Sequence, residues 1–217
     1  MAYDLEEQEK LADLKAWWKR YGNLVTWAVI IVLAAYAAWT FWGNYQRGQA
    51  EQASQLYYEM ENAVRSRDNQ RAQRIAADMQ EKFGKTVYAA MTGLVAARMA
   101  ADANEPDVAK SRLKWVVEQS KGEGYKAIAR IRLAGLLMDE KKYDEAQSML
   151  AAEFPEAFAG IAEDRRGDVY YAQGKLDEAK KAYRTALAKS AAEDPGRSLI
   201  QLKLDDLGGG TAKTEKG

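Results

Sequence analysis

The sequence predicts an all-α protein in which one N-terminal membrane-spanning helix precedes a solenoid of stacked helix pairs. Three observations carry that reading. Residues 24–42 (LVTWAVIIVLAAYAAWTFW) hold no charge. Beyond them only Pro106, Pro155 and Pro195 interrupt a chain whose Ala, Leu, Glu, Lys, Gln and Arg recur at helical spacing. Residues 143–150 (YDEAQSML) find a counterpart 33 residues later at 176–183 (LDEAKKAY), and self-similarity at that period means stacked helix pairs.

The first element is a polar tail, 1–23. The second is the uncharged run 24–42, which as a helix covers roughly 28 Å, close to the hydrocarbon thickness of a bilayer. Aromatic side chains that favour the headgroup layer sit at both rims: Trp17, Trp18 and Tyr21 before it, Trp39, Phe41, Trp42 and Tyr45 at its far end. Lys10, Lys15, Lys19 and Arg20 precede the run, and only Arg47 lies in the twenty residues after it. Because basic flanks resist translocation, the N-terminus is expected in the cytoplasm and the long remainder on the other side. A cleavable signal sequence is the rival reading, since Ala35-Tyr36-Ala37 has the small-x-small look of a cleavage site. Apolar and aromatic residues continue past that point and the preceding tail is long and rich in acids, which favours a retained anchor.

Residues 43–207 are expected to form the repeat domain, with helices at about 49–66, 69–83, 86–102, 106–120, 125–140, 143–153, 157–173, 176–190 and 196–207. Breaks are marked by Gly84, Asn104-Glu105-Pro106, Gly122-Glu123-Gly124, Pro155 and Asp194-Pro195. Within the repeats, a small residue followed four positions later by an apolar one recurs as Ala179 with Tyr183, Ala146 with Leu150, Ala109 with Leu113 and, more faintly, Ala72 with Ala76. The spacings are 37, 37 and 33 residues. The small residue admits close approach of the neighbouring helix and the larger one fills the groove on the same face. The glycine-rich end, 208–217, has no large apolar side chain to bury and is expected to be disordered.

Composition removes most catalytic chemistry. With no Cys and no His, the chain lacks the residues of the usual zinc, iron–sulfur, haem or copper sites and of Ser-His-Asp or Cys-His units, so no metal or cofactor is expected. Lys+Arg 32 balances Asp+Glu 32, which leaves no global basic field to draw nucleic acid. Ser111-Arg112-Leu113-Lys114 has the spacing of a Ser-x-x-Lys pair but no companion motif, and on a repeat helix Ser111 and Lys114 should face solvent while Leu113 and Val116 pack inward. Gly210-Thr211-Ala212-Lys213-Thr214 lacks the Gly-Lys pair of a phosphate loop. The neighbouring carboxylates Glu163-Asp164 and Asp205-Asp206 diverge on a helix and are read as solvated surface.

The last repeat resembles a tetratricopeptide repeat, with Gly167, Tyr170, Gly174, Leu176, Ala179, Tyr183 and Ala186 at that motif's intervals. The repeat before it keeps Ala134, Leu137, Tyr143, Ala146 and Leu150, with Lys141 where the turn glycine would stand. The expected fold is therefore a tetratricopeptide-like α-solenoid behind one transmembrane helix. In such arrays the first helix of each pair lines the concave side. Alignment to the repeat nominates Tyr57, Glu61, Met91, Leu94, Arg98, Ile131, Met138, Asp164, Asp168 and Tyr171 as partner-binding positions. The Lys/Asn set that clamps a terminal carboxylate in some tetratricopeptide domains is missing.

From the tail to about residue 207 the chain resembles the YfgM family. The resemblance rests on Leu14-Lys15-Ala16-Trp17-Trp18-Lys19-Arg20-Tyr21-Gly22-Asn23 leading into the anchor, on Phe41-Trp42, on Ala53-Ser54-Gln55-Leu56-Tyr57-Tyr58, and on the repeat around Gly167 and Gly174. It implies an ancillary subunit of the bacterial SecYEG translocon, held in the inner membrane with a cytoplasmic tail and a periplasmic repeat domain. It further implies a place beside the PpiD-type periplasmic chaperone and a part in passing exported client proteins to periplasmic chaperones. Two other classes stand beside this adaptor reading: a scaffold or regulator facing the cytoplasm, which needs the opposite topology, and a membrane-bound enzyme working with carboxylates.

Overall fold

A computed structural model of the chain describes residues 2–208; most of the glycine-rich end, including the Gly210 to Thr214 motif, lies outside them. Among the described residues all regular structure is helical: α1 (Ala2–Arg65), α2 (Asn69–Phe83), α3 (Val87–Asp102), α4 (Pro106–Gln119), α5 (Glu123–Asp139), α6 (Tyr143–Leu150), α7 (Glu156–Ala172), α8 (Leu176–Lys189) and α9 (Arg197–Asp206). The chain forms two compact units, divided after Gln49. The expected helix at 49–66 has no start of its own, because α1 runs continuously through Gly43 and Gly48. Glycine in a helix interior costs about 0.5–1 kcal/mol relative to Ala, too little to break a helix that long flanks support.

The first unit is the portion of α1 up to residue 49. Its apolar stretch is long and apolar enough to cross a membrane, and none of that stretch is buried in protein. Trp17, Trp18, Tyr21, Trp39, Trp42 and Tyr45 are all exposed, with Trp17 and Tyr21 ring centroids 5.8 Å apart and Trp42 and Tyr45 6.1 Å apart. The Thr26 hydroxyl donates to the Gly22 carbonyl at 2.8 Å, so this polar side chain is satisfied within its own helix.

The second unit stacks four helix pairs: residues 50–65 of α1 with α2, α3 with α4, α5 with α6, and α7 with α8, closed by α9. Each pair turns on one residue in the left-handed region: Arg67 (φ 55°), Asn104 (59°), Lys141 (61°) and Gly174 (76°). The amide of the following residue then returns to the preceding helix, Asp68 to Ala63, Glu105 to Ala100, Lys142 to Leu137 and Lys175 to Tyr170, at 2.8–2.9 Å. This single turn geometry recurs at the sequence spacings 37, 37 and 33. Asp68 also caps α2 by accepting from the Arg71 amide at 2.9 Å, and Pro106 opens α4 where its missing N–H is not needed.

The recurring small-to-apolar pairs are all buried: Ala72 and Ala76, Ala109 and Leu113, Ala146 and Leu150, Ala179 and Tyr183. The second member varies because its partner on the first helix varies inversely. Met60 shares a cluster with Ala76, Ala97 with Leu113, and Ala134 with Leu150, while Gly167 lies against the Tyr183 ring. The faintness of the first repeat is thus an exchange of volume between helices, with the large side chain moved from α2 to α1. On the second helices, Arg112 binds α4 to α2 by donating to Gln73 Oε1 and Gln73 O, both at 3.0 Å, and to Gln80 Oε1 at 2.6 Å. Ser111 and Lys114 are exposed on α4, with Leu113 and Val116 buried. The α6 helix stops at Leu150, three residues short of expectation. The Arg166 guanidinium caps the Leu150 carbonyl and ends the helix there, ahead of the break at Pro155.

At the far end Ile200 and Leu204 of α9 bury against Ala179, Tyr183 and Ala186. Such a terminal helix covers the apolar face that a next repeat would otherwise take. Glu163-Asp164 departs from the expected solvated surface: Glu163 pairs with Arg166 at 2.7 Å and Lys189 at 2.9 Å, and Asp164 pairs with Lys203 at 2.8 Å. Packing of α8 and α9 on α7 brings those cations over the carboxylates.

Candidate functional site

A cavity of about 1120 Å³ runs along the first helices of the first three pairs. Its walls come from α1 (Tyr57, Met60, Glu61, Val64), α3 (Met91, Leu94, Val95, Met99) and α5 (Tyr125, Ile128, Arg132). The helical period explains the set, since residues three and four apart share one face of each helix. Apolar side chains form most of that surface. Tyr57 stands at its edge with its ring 5.8 Å from that of Tyr88. Burial pushes the Tyr57 hydroxyl above its ordinary pKa, helped by the negative charge of Glu61 and by Tyr125, so it stays a neutral donor.

A smaller cavity of about 370 Å³ adjoins the first, sharing Arg98 and Arg132, and is bounded by Ala101, Gly135, Leu136, Asp139 and Arg165. The charged lining of the two cavities is mainly cationic: Arg65, Arg67, Arg98, Arg132 and Arg165 against Glu61, Asp102 and Asp139. Arg98 lies 3.7 Å from Asp102, and Arg165 donates to Asp168 at 3.2 Å. Partial burial holds Arg132 below its ordinary pKa, with the like charge of Arg98 acting in the same sense. Such a surface suits a polypeptide segment that offers apolar side chains and negative charge.

Of the ten nominated positions, Tyr57, Glu61, Met91, Leu94 and Arg98 line the larger cavity. The other five line neither. Ile131 is 7% exposed and belongs to the core cluster between α3 and α7, and Met138 packs against the same cluster. Asp164 and Asp168 are engaged by Lys203, whose ammonium lies 2.8 Å from Asp164 Oδ1 and 2.7 Å from Asp168 Oδ1. Tyr183 donates to Asp168 Oδ1 at 3.0 Å, completing a structural latch between α7, α8 and α9. Tyr171 is exposed at the end of α7. Missed by sequence reasoning were Tyr125, Ile128, Arg132 and Arg165. The two arginines had a usable signal, since they lie 33 residues apart, the interval of the last two repeats.

The model of the tetratricopeptide repeat-like domain family matches residues 15–209. The protein named ancillary SecYEG translocon subunit in Neisseria gonorrhoeae is 35% identical over 95% of this chain and 100% of its own length. The chain belongs to the YfgM family. Members bearing the same name in Haemophilus influenzae and Escherichia coli are each 27% identical, over 95% and 93% of this chain and 100% and 96% of their own lengths. The family match covers both the apolar helix and the repeats.

Proposed function

We propose that this chain is a non-enzymatic adaptor of the Sec translocon, anchored in the inner membrane by the apolar stretch of α1 and binding polypeptides in the groove of its repeats. The observation that carries this reading is the largely apolar cavity along α1, α3 and α5, a groove that can seat the side chains of a chain segment. The names of the full-length relatives supply the setting. In this reading Trp17, Trp18 and Tyr21 mark one membrane interface, and Trp39, Trp42 and Tyr45 the other. The basic residues before the anchor keep the tail in the cytoplasm, and the repeats stand in the periplasm. There they take exported client proteins, or the PpiD-type chaperone that receives them. Anchoring raises the local concentration of the groove at the site of export without adding a contact.

Alkaline phosphatase fused after residue 207 should be active, and an inactive fusion would overturn the topology. Photo-crosslinkers at Tyr57 and Met91 in native membranes should capture translocon components, the chaperone or exported chains. Capture confined to a crosslinker at exposed Lys114 on α4 would show that the groove is not the binding face.

A further inference from the structure

Arg132 differs from its neighbours in what answers its charge. Arg98 and Arg165 each face a carboxylate, Asp102 and Asp168, whereas Arg132 has no acidic partner at ion-pairing distance among the described residues. Its one hydrogen bond is a long one, from Nη1 to the Leu94 carbonyl at 3.4 Å. Arg132 as a residue is nevertheless accessible to solvent, and it stands where the larger cavity meets the smaller. Arg165, on the wall of the smaller cavity, adds a buried Nε with no hydrogen-bond partner. A planar fork of donors left open between apolar walls matches a carboxylate bidentately.

We propose that the groove receives an extended polypeptide segment through an internal Asp or Glu side chain paired to Arg132, with apolar residues of the same segment seated in the cavities on either side. This deepens the adaptor reading and rests on it. The carboxylate belongs to a side chain and not to a chain end because cavities lie on both sides of Arg132. A terminal carboxylate there would leave one of them empty. The excess of arginine over acid along the lining favours the same occupant and disfavours a basic one. Partial burial and the like charge of Arg98 disfavour the Arg132 cation, and an arriving carboxylate supplies the opposite charge that offsets both.

The test uses the full-length protein in detergent micelles and pools of amidated peptides long enough to reach both cavities. The pools are random in Leu, Tyr, Ala and Ser but fixed at the centre as Asp or as Asn. The Asp pool should be retained on the order of tenfold better, the factor expected for a charged hydrogen-bonded pair. Arg132→Met should bring the Asp pool down to the Asn level and leave the Asn pool unchanged, and Arg132→Lys should keep part of the preference. Equal retention of the two pools by the native protein overturns the proposal. So does an equal loss of both pools in Arg132→Met and Arg132→Lys with unaltered melting. A central-Asn pool with a free C-terminal carboxylate, if retained like the Asp pool, overturns the assignment to a side chain. Crosslinking from Met91 in membranes separates the two levels: capture without an Asp preference overturns this proposal alone, while absence of both capture and retention overturns the adaptor reading with it.

Discussion

Arg67, Asn104 and Lys141 hold a backbone conformation that L side chains avoid, and Gly174 alone occupies the equivalent turn without strain. Lys141→Gly should therefore raise stability by about 0.5–1 kcal/mol, the strain relieved less the entropy glycine adds to the unfolded chain. The urea midpoint of the purified protein, followed by far-UV circular dichroism, measures it; a lower midpoint would mean that the Lys141 side chain makes a contact worth more than the strain. The opposite constraint acts at Gly167, where a Cβ would come within 2.5 Å of Tyr183 Cδ1. The ring cannot retreat without releasing its hydrogen bond to Asp168 and its packing on α9. Gly167→Ala should cost about 1–3 kcal/mol by overpacking. A neutral result would show that α7 and α8 can separate freely.

The helix pairs keep one backbone geometry while their contacting side chains trade volume, which makes the first pair a test of compensation. Met60 and Ala76 are both fully buried in one cluster. Met60→Ala alone should cost about 2–5 kcal/mol through the cavity it leaves, and Ala76→Leu alone about 1–3 kcal/mol through crowding. Together they recreate the arrangement of the second and third pairs, and the double variant should be more stable than the sum of the single costs by about 1 kcal/mol or more. Strict additivity in urea titrations would mean that the two positions pack independently. The same trade explains what the sequence disclosed. Boundaries of α2 to α9, apart from the end of α6, were readable to within about two residues because Pro106, Pro155, Pro195 and the turn residues act locally, and the period of the pairs was readable where Ala precedes Leu or Tyr. The continuity of α1 was not, because the hydropathy of 24–42 and the helical spacing from 49 onward are separate local signals, and nothing local says that residues 43–48 join them. The cationic groove stayed hidden because arginine on a repeat helix reads as solvated surface until the neighbouring pair is placed. The Lys203 latch joins residues 35 and 39 positions apart, beyond any local pattern. That is why Asp164 and Asp168 looked free to bind a partner.

A stack of helix pairs is stabilised largely by contacts between neighbours, so a polar link between pairs bears on the cohesion of the whole array. Lys110 on α4 is such a link: its ammonium, with a side chain only 12% exposed, reaches Glu140 at the end of α5, and Glu140 also lies 2.8 Å from Lys142. The hydrogen bond from Lys110, with that from Lys142 next, holds the Glu140 carboxyl below its ordinary pKa. Hydrogen bonds to Glu140 and then Asp107 hold the Lys110 ammonium above its own. For Glu140 the folded value is depressed, so its contribution is complete above the unfolded value and is lost as pH falls through the folded one. For Lys110 the folded value is raised, so its contribution is complete below the unfolded value and is lost as pH rises through the folded one. The stabilisation therefore forms a plateau across neutral pH with an acid and an alkaline edge. Glu140→Gln should lower the urea midpoint at neutral pH, and the gap to the native protein should close as pH falls below the ordinary carboxylate range, near pH 3. A gap that stays constant on acidification would assign the effect to the shape of the side chain instead of its charge. Lys110→Met should show the same convergence at the acid edge, since protonating Glu140 removes from the native protein the same partner that the substitution removes. Loss of the link should loosen the second pair against the third, where Arg132 stands between α3 and α7, so hydrogen exchange in α5 should rise in both variants at neutral pH.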